Sequence, residues 1–509
     1  MSLSRRNISS QALALALVLP AAPALADVTP TQVWEGFRDY LESSGYSVTA
    51  DVTEAGGTLT AGGLEAVITF PEDEGTLTFA GGDIRFEDLG DGTVRVAFPE
   101  RMPIRITGME AEEEVAVDLA YTHRGLDMVV SGDESAMLYD YSAEALSIAL
   151  EELRVDGVAM PPEVGSGGFT LEGVSGDMRM GSGPVMELAQ TVNAESASYE
   201  MAITDPDTGE KVDLAGRMQD LSLTGEGMLP ELSEGMSGAD MIAEGLEVAG
   251  SFTYAGGETR MSGVSEGAPF EFTSASGGGN IEVALSEEGL GYQFGADALE
   301  ISVTSAEMPL PISATASEAR FGIAMPVTAS EEPQDVDMML RFVGFEVTEM
   351  LWSIFDPAGN LPRDPASVVL DVTGKVTPYL SLLDPAAMEA AESAGEVPGE
   401  LNAVTINELR VEAVGAELTG EGAFSFDNSD LETFGGMPAP SGEAVLRLSG
   451  ANALIDTLVE MGFVSAEDAM GARMMLSMFA VPGEGPDSLT STISVTEDGQ
   501  VSANGQRIR

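Results

Sequence analysis

Of the side chains that carry out chemistry, this chain of 509 residues holds one histidine, no cysteine and 85 acidic residues. A single imidazole, His123, excludes a multi-histidine zinc site and would have to be the base of any triad. It follows Tyr121 and precedes Arg124 in strand-and-turn surroundings, and reads as a plain surface or hairpin residue. Gly263-Val264-Ser265-Glu266-Gly267 has the spelling of a Gly-x-Ser-x-Gly nucleophile elbow. That motif works only where a strand turns into a helix and holds the serine exposed, and strand-like runs flank it on both sides here. Asp205, Asp207 and Asp213 have the outline of a calcium loop, but Pro206 breaks it, as does Gly216 where a glutamate is needed. A tight hairpin turn is the better reading. Carboxylate pairs for acid–base work occur throughout and single out no place. No catalytic, cofactor-binding or metal-binding residue is assigned, no cofactor is expected, and the chain reads as a non-enzyme.

The elements that would position any site are mostly strands. The opening segment is the exception. Thr29, Pro30 and Gln32 spell a capping box with proline at the first helical position. Val33, Trp34, Phe37, Tyr40 and Leu41 follow on one helical face, up to a stop at Gly45, which predicts a helix docked on a sheet. From Tyr46 to about Met325 short alternating runs are broken by glycine pairs and turn dipeptides. Strands are read at Leu64–Phe70, Thr76–Phe79, Thr93–Phe98, Ile104–Thr107, Ser251–Tyr254, Pro269–Thr273, Ile281–Leu285 and Leu299–Val303. Asp91-Gly92 and Asp205–Gly209 mark hairpins. Leu146, Ile148 and Leu150 alternate in a run that also reads as helical, and a short helix is read around Ala239–Glu244. Farther on, helices at Thr348–Phe355, Asp384–Ser393, Ala453–Met461 and Ser465–Phe479 mix with strands, among them Ser367–Val372, Thr405–Val414, Glu417–Phe426 and Glu443–Leu448. No fixed-period repeat is visible, although Leu-Thr-Gly-Glu-Gly stands at both Leu223–Gly227 and Leu418–Gly422. The fold class is therefore mainly β: an elongated antiparallel curved sheet, half-pipe or sandwich-like meander with a few capping α-helices. A β-rich region, 27–329, opens with the amphipathic helix, and an α+β region, 330–509, follows the acidic Ser330–Asp335 junction. The two can equally form one continuous unit.

Residues 1–26 have the pattern of a secretory signal peptide. Arg5 and Arg6 are basic, Ala12–Leu19 is apolar, and Ala24-Leu25-Ala26 is the cleavage signal before Asp27. The apolar run is too short to span a bilayer, which takes about 20 residues. Ser4–Ile8 partly matches a twin-arginine signal, but a general secretory leader is the plainer reading. Cleavage after Ala26 implies a periplasmic address with no integral membrane segment in the mature chain. Absence of cysteine removes disulfides, thiolate catalysis and an N-terminal lipid anchor. The net charge of −63 opposes nucleic-acid binding and direct docking on anionic headgroups. At 44% hydrophobic residues the chain is too apolar to be disordered.

The last third carries a recognisable pattern. Leu351-Trp352, Asp356-Pro357, Leu361-Pro362-Arg363-Asp364-Pro365 and Gly374, with Gly415–Phe424, Gly436–Pro440, Gly471–Met475 and Asn504-Gly505-Gln506, resemble a family of uncharacterised exported proteins of alphaproteobacteria, a domain of unknown function. That family brings no catalytic residue with it. More remotely, long strands with Leu-x-x-x-Gly turns are similar to AsmA-type envelope proteins. The resemblance implies a half-pipe with an apolar groove and lipid handling, although the membrane helix usual in that group is missing. The leading expectation is a soluble periplasmic protein binding an apolar or envelope-derived ligand, such as a lipid, on a sheet face. The alternatives are apolar faces that merely close into a core, an envelope-interaction protein with a cation-dependent acidic surface, and a carboxylate-based hydrolase.

Overall fold

The capping box forms as its spelling predicts. In the computed structural model, which describes residues 27–69, 75–110, 113–183, 185–206, 208–230, 236–308 and 310–509, Thr29 Oγ1 accepts the Gln32 N–H at 3.3 Å. Gln32 Oε1 accepts the Thr29 N–H at 3.0 Å. Helix α1 (Pro30–Ser43) ends where Gly45 takes φ +88° and the Tyr46 N–H reaches back to the Leu41 carbonyl at 3.0 Å. Residues 1–26, read above as a leader, lie outside the described residues, as do Phe70 and Asp207.

Among the described residues all 27 strands belong to one antiparallel sheet, with six helices attached. The expected strands and helices form. The ambiguous run around Ile148 is part of the 20-residue strand Ala136–Val155, where Ile148 pairs with Tyr121 and Phe169 on either side. Period-two alternation won because both neighbours offered a matching apolar face. The strands Val185–Thr204 and Lys211–Pro230 on either side of the expected hairpin pair with each other, and Ser330 lies in the connection between Ile312–Met325 and Gln334–Val347, which also pair. Hydrogen bonding thus continues through the acidic junction. The remaining helices interrupt hairpins rather than crossing the sheet. α2 (Gly238–Ala243) and α4 (Pro385–Ala394) sit at one end of the strands, α3 (Glu349–Phe355), α5 (Ala451–Glu460) and α6 (Ala466–Phe479) at the other.

The sheet forks twice in the same way. One half of the strand Gly75–Asp88 pairs with Val94–Ala97 and the other with Arg101–Glu110. These pair with Asp127–Asp133 and Glu113–Arg124 respectively, and both lanes rejoin on Ala136–Val155. Lys211–Pro230 likewise divides between Glu247–Tyr254 and Gly256–Ser265. Those pair with Gly278–Ser286 and Ala268–Ser276, and the lanes close again on Gly289–Ser305. The order of strands along the chain is identical in the two forks. The repeat that the sequence hides is one of topology.

A crease crosses several of the long strands, among them the two that open and close the second fork. Within Gly165–Gly181, Lys211–Pro230, Gly289–Ser305 and Gln334–Val347 an interior residue adopts left-handed backbone: Gly173 (φ +63°), Asp220 (φ +49°), Ala298 (φ +48°) and Gly344 (φ +69°). Each resets the in–out alternation by one residue. Met218 and Leu221, three apart, therefore pack into one cluster with Ala194, Ala197 and Val174. Without the reset, half of every long strand would turn its apolar side outward.

The principal core lies under α1. Val33 and Trp34 pack with residues drawn from seven adjacent lanes, from Leu59 and Phe86 through Val94, Val130 and Tyr139 to Met180 and Leu188. Seven flat lanes would span roughly 29 Å at ~4.8 Å per step, while a helix with side chains is ~10 Å across, so the sheet must curl around α1. Trp34 meets Phe86 edge-on at 5.9 Å, and Phe37 meets Phe98 at 6.5 Å. Trp34→Ala is expected to cost about 3–5 kcal/mol, read from the urea midpoint, because it empties this seat. Phe294→Ala, on the open part of the same face, should cost less than about 1 kcal/mol; equal losses would mean that both are sealed in a core.

Candidate binding face

Directly opposed residues share a face, so the register traces which side chains line each surface. Starting from Met180 and Leu188 beneath α1, the inner face continues through Leu223, Phe252, Ile281 and Phe294. It then runs through Phe321, Leu340, Leu370 and Leu409 to Gly420, Leu446 and Ser491. Beyond the reach of α1 this face is not sealed. Leu223, Ile281, Val283, Tyr292, Phe294, Leu340, Val368 and Val411 each remain 37–40% exposed. Apolar side chains in a closed core lose nearly all of that area.

The outer face is built from charges. Arg320 binds Asp297 at 2.8 Å and Glu318 at 3.0 Å, and Arg341 shares Glu318 at 3.0 Å. Asp297 stands opposite Glu318 across the ladder, so these groups fix lane register as well as polarity. Pairs this exposed contribute about 0–1 kcal/mol each. Their larger effect is to keep that face in water.

The motifs of the last third are clasps. Asp356 is buried at the end of α3. It accepts the N–H groups of Asn360 and Leu361, both at 2.9 Å, and lies 3.4 Å from Arg363. Burial raises its pKa, but those amide donors and Arg363 outweigh burial and hold the carboxyl below its ordinary value. Arg363 also stacks on Trp352 at 4.4 Å. Pro362 abuts Gly415, whose φ of +79° closes the hairpin between Gly399–Ala413 and Ala416–Asp427. Asp487 clamps the start of α5 by accepting the Asn452 and Ala453 N–H groups at 3.1 and 2.9 Å. These residues hold helices to the sheet end and form no pocket. α6 presents Met470, Met474, Met475 and Met478 to solvent.

The residues weighed for catalysis stay apart. Ser265 ends the strand Gly256–Ser265, and Glu266-Gly267 is the hairpin turn to Ala268–Ser276, with no helix behind it. Asp205 accepts the Thr208 N–H at 3.1 Å in its turn, whereas Asp213 lies on a strand paired with Lys211 at 2.7 Å. Among the described residues no three His, Asp or Glu side chains are grouped to hold a metal ion. His123 differs from expectation. Its strand, Glu113–Arg124, puts it opposite Leu146 on the inner face, 6.2 Å from the Tyr121 ring. Both ring nitrogens are shielded and lack a partner among the described residues, because the strand register, not the following turn, sets where the ring points. Sequence reading missed the open-face aromatics Phe252, Tyr292 and Phe294. Their alternation was visible, but what covers a face is not written in it.

Residues 255–508 match the model of a family described as "Uncharacterized protein conserved in bacteria (DUF2125)". No curated protein and no solved structure matches the chain. The match takes in the closing strands of the second fork and every clasp of the last third. Among the described residues no helix is long and apolar enough to cross a membrane.

Because its folded pKa is depressed, Asp356 adds stability that is complete above its unfolded pKa of about 3.9 and is lost as pH falls through the folded value. Asp356→Asn should therefore lower the melting temperature at pH 7, with the gap to wild type narrowing below about pH 4. A gap independent of pH would show that shape, not charge, is what Asp356 supplies.

Proposed function

We propose that this is a periplasmic, non-enzymatic protein that binds an apolar, envelope-derived molecule along the inner face of its sheet. The observation that carries the reading is the half-exposed inner face, apolar from Leu223 to Val411 and backed by a charged outer face. A contiguous surface of this kind in a soluble chain marks a binding site, since monomers rarely leave one unused. The leader at residues 1–26 supplies the address, and the resemblance to exported alphaproteobacterial proteins and AsmA-type envelope proteins agrees with it. The net charge of −63 keeps such a molecule soluble while its apolar face is empty.

Native mass spectrometry of the protein recovered from a periplasm tests this directly. The expected spectrum shows a chain beginning at Asp27 and carrying an adduct that organic extraction removes. A chain of that mass with no adduct, before and after incubation with envelope lipids, would refute lipid carriage. A chain retaining residues 1–26 would refute the address.

A further inference from the structure

The two forks share one strand order but differ in what covers them. In the first, α1 lies on the inner face, and Ile84, Phe86, Val94 and Val130 beneath it are 0% exposed. In the second, the corresponding strands present Leu223, Ile281, Val283, Tyr292 and Phe294, which α1 does not reach. At one end of this second seat α2 meets the segment before α4, Gly238 lying so near Leu383 that a Cβ there would stand 3.1 Å from Leu383 Cβ. We infer that the second fork is the ligand seat, that α1 occupies its counterpart in the first fork as a built-in filler, and that the ligand is the acyl chain of an uncharged lipid.

The chemistry of the seat selects that occupant. α1 shows what the fork geometry accepts, the apolar side of an amphipathic rod about 21 Å long, with Val33, Trp34 and Phe37 turned to the sheet. In the second fork the inner positions, from Leu223 and Gly225 through Val248, Gly250 and Phe252 to Ile281, Val283, Tyr292 and Phe294, include no charged side chain. The nearby arginines, Arg217, Arg260 and Arg320, stand on the outer face opposite Glu258, Thr273 and Gly295. An anionic headgroup would find no cation inside the seat and would meet a protein of net charge −63. A hydrocarbon chain needs neither.

This inference rests on the proposed lipid-binding role, and the test separates the two. A diacylglycerol carrying one pyrene-labelled acyl chain is titrated into the full-length mature protein and followed by fluorescence. Val283→Glu should weaken binding at least about tenfold, because a carboxylate beside hydrocarbon loses its hydration. Met474→Glu, exposed on α6 and off the inner face, should stay within about twofold of wild type. If Val283→Glu loses its strand circular dichroism, the nearly isosteric Val283→Thr replaces it, with an expected weakening of about fivefold. Weakening by Met474→Glu equal to that by Val283→Glu, or retention at both, would overturn the second fork as the seat while leaving lipid binding in place. No binding by wild type would remove the lipid-binding role itself. Equal affinity for the ionised pyrene-labelled fatty acid at pH 9 would overturn the uncharged class.

Discussion

The constraint on which the structure depends is that a single sheet keeps one apolar face from its early strands to its last. Cross-strand register enforces this, since opposed residues share a face and a one-residue slip exposes the whole set. The crease is the price of long strands that must bend without losing that face. At Gly173, Asp220, Ala298 and Gly344 the backbone turns left-handed, the alternation resets, and the apolar side stays inward on both halves. The lanes of the second fork meet Lys211–Pro230 and Gly289–Ser305 on either side of Asp220 and Ala298, so there curvature and topology have one origin.

Covering that face is a separate problem, and among the described residues the large core is the one that α1 covers. α1 brings Val33 and Trp34 onto strands that would otherwise be as open as those farther along, and the main core exists because of that contact. Beyond it, many of the buried apolar positions are alanines, such as Ala296, Ala316 and Ala439, which bring little area with them. Burial of so little large apolar surface leaves the later sheet to be stabilised by its ladders and by clasps such as Asp356 and Asp487. The motif residues of the last third belong to this support.

Local signals were legible in proportion to how local their causes are. Thr29, Pro30, Gln32 and Gly45 announce α1 because capping is settled within four residues, and Asp205–Gly209 announces its hairpin for the same reason. The forks were not legible, since which half of Lys211–Pro230 meets Glu247–Tyr254 depends on contacts with no local signature. Asp220 and Ala298 adopt left-handed backbone without being glycine, so the crease left no spelling. For the binding face, the alternation around Ile281 and Tyr292 gave the apolar side, but not whether anything would lie on it. His123 was misplaced because its neighbours in sequence suggested a turn, while its position across from Leu146 decided its surroundings.

The absence of cysteine makes the central claim, an inner face sealed in the first fork and open in the second, directly measurable. Single cysteines at Val94 and Val130, beneath α1, and at Val283 and Tyr292, in the second fork, would be labelled with a small uncharged maleimide under native conditions. Labelling at 283 and 292 should approach the rate of the unfolded chain, and labelling at 94 and 130 should be slower by orders of magnitude, limited by opening of the α1 seat. Equal protection at all four positions would mean that the second fork is also a closed core, and the account would be wrong.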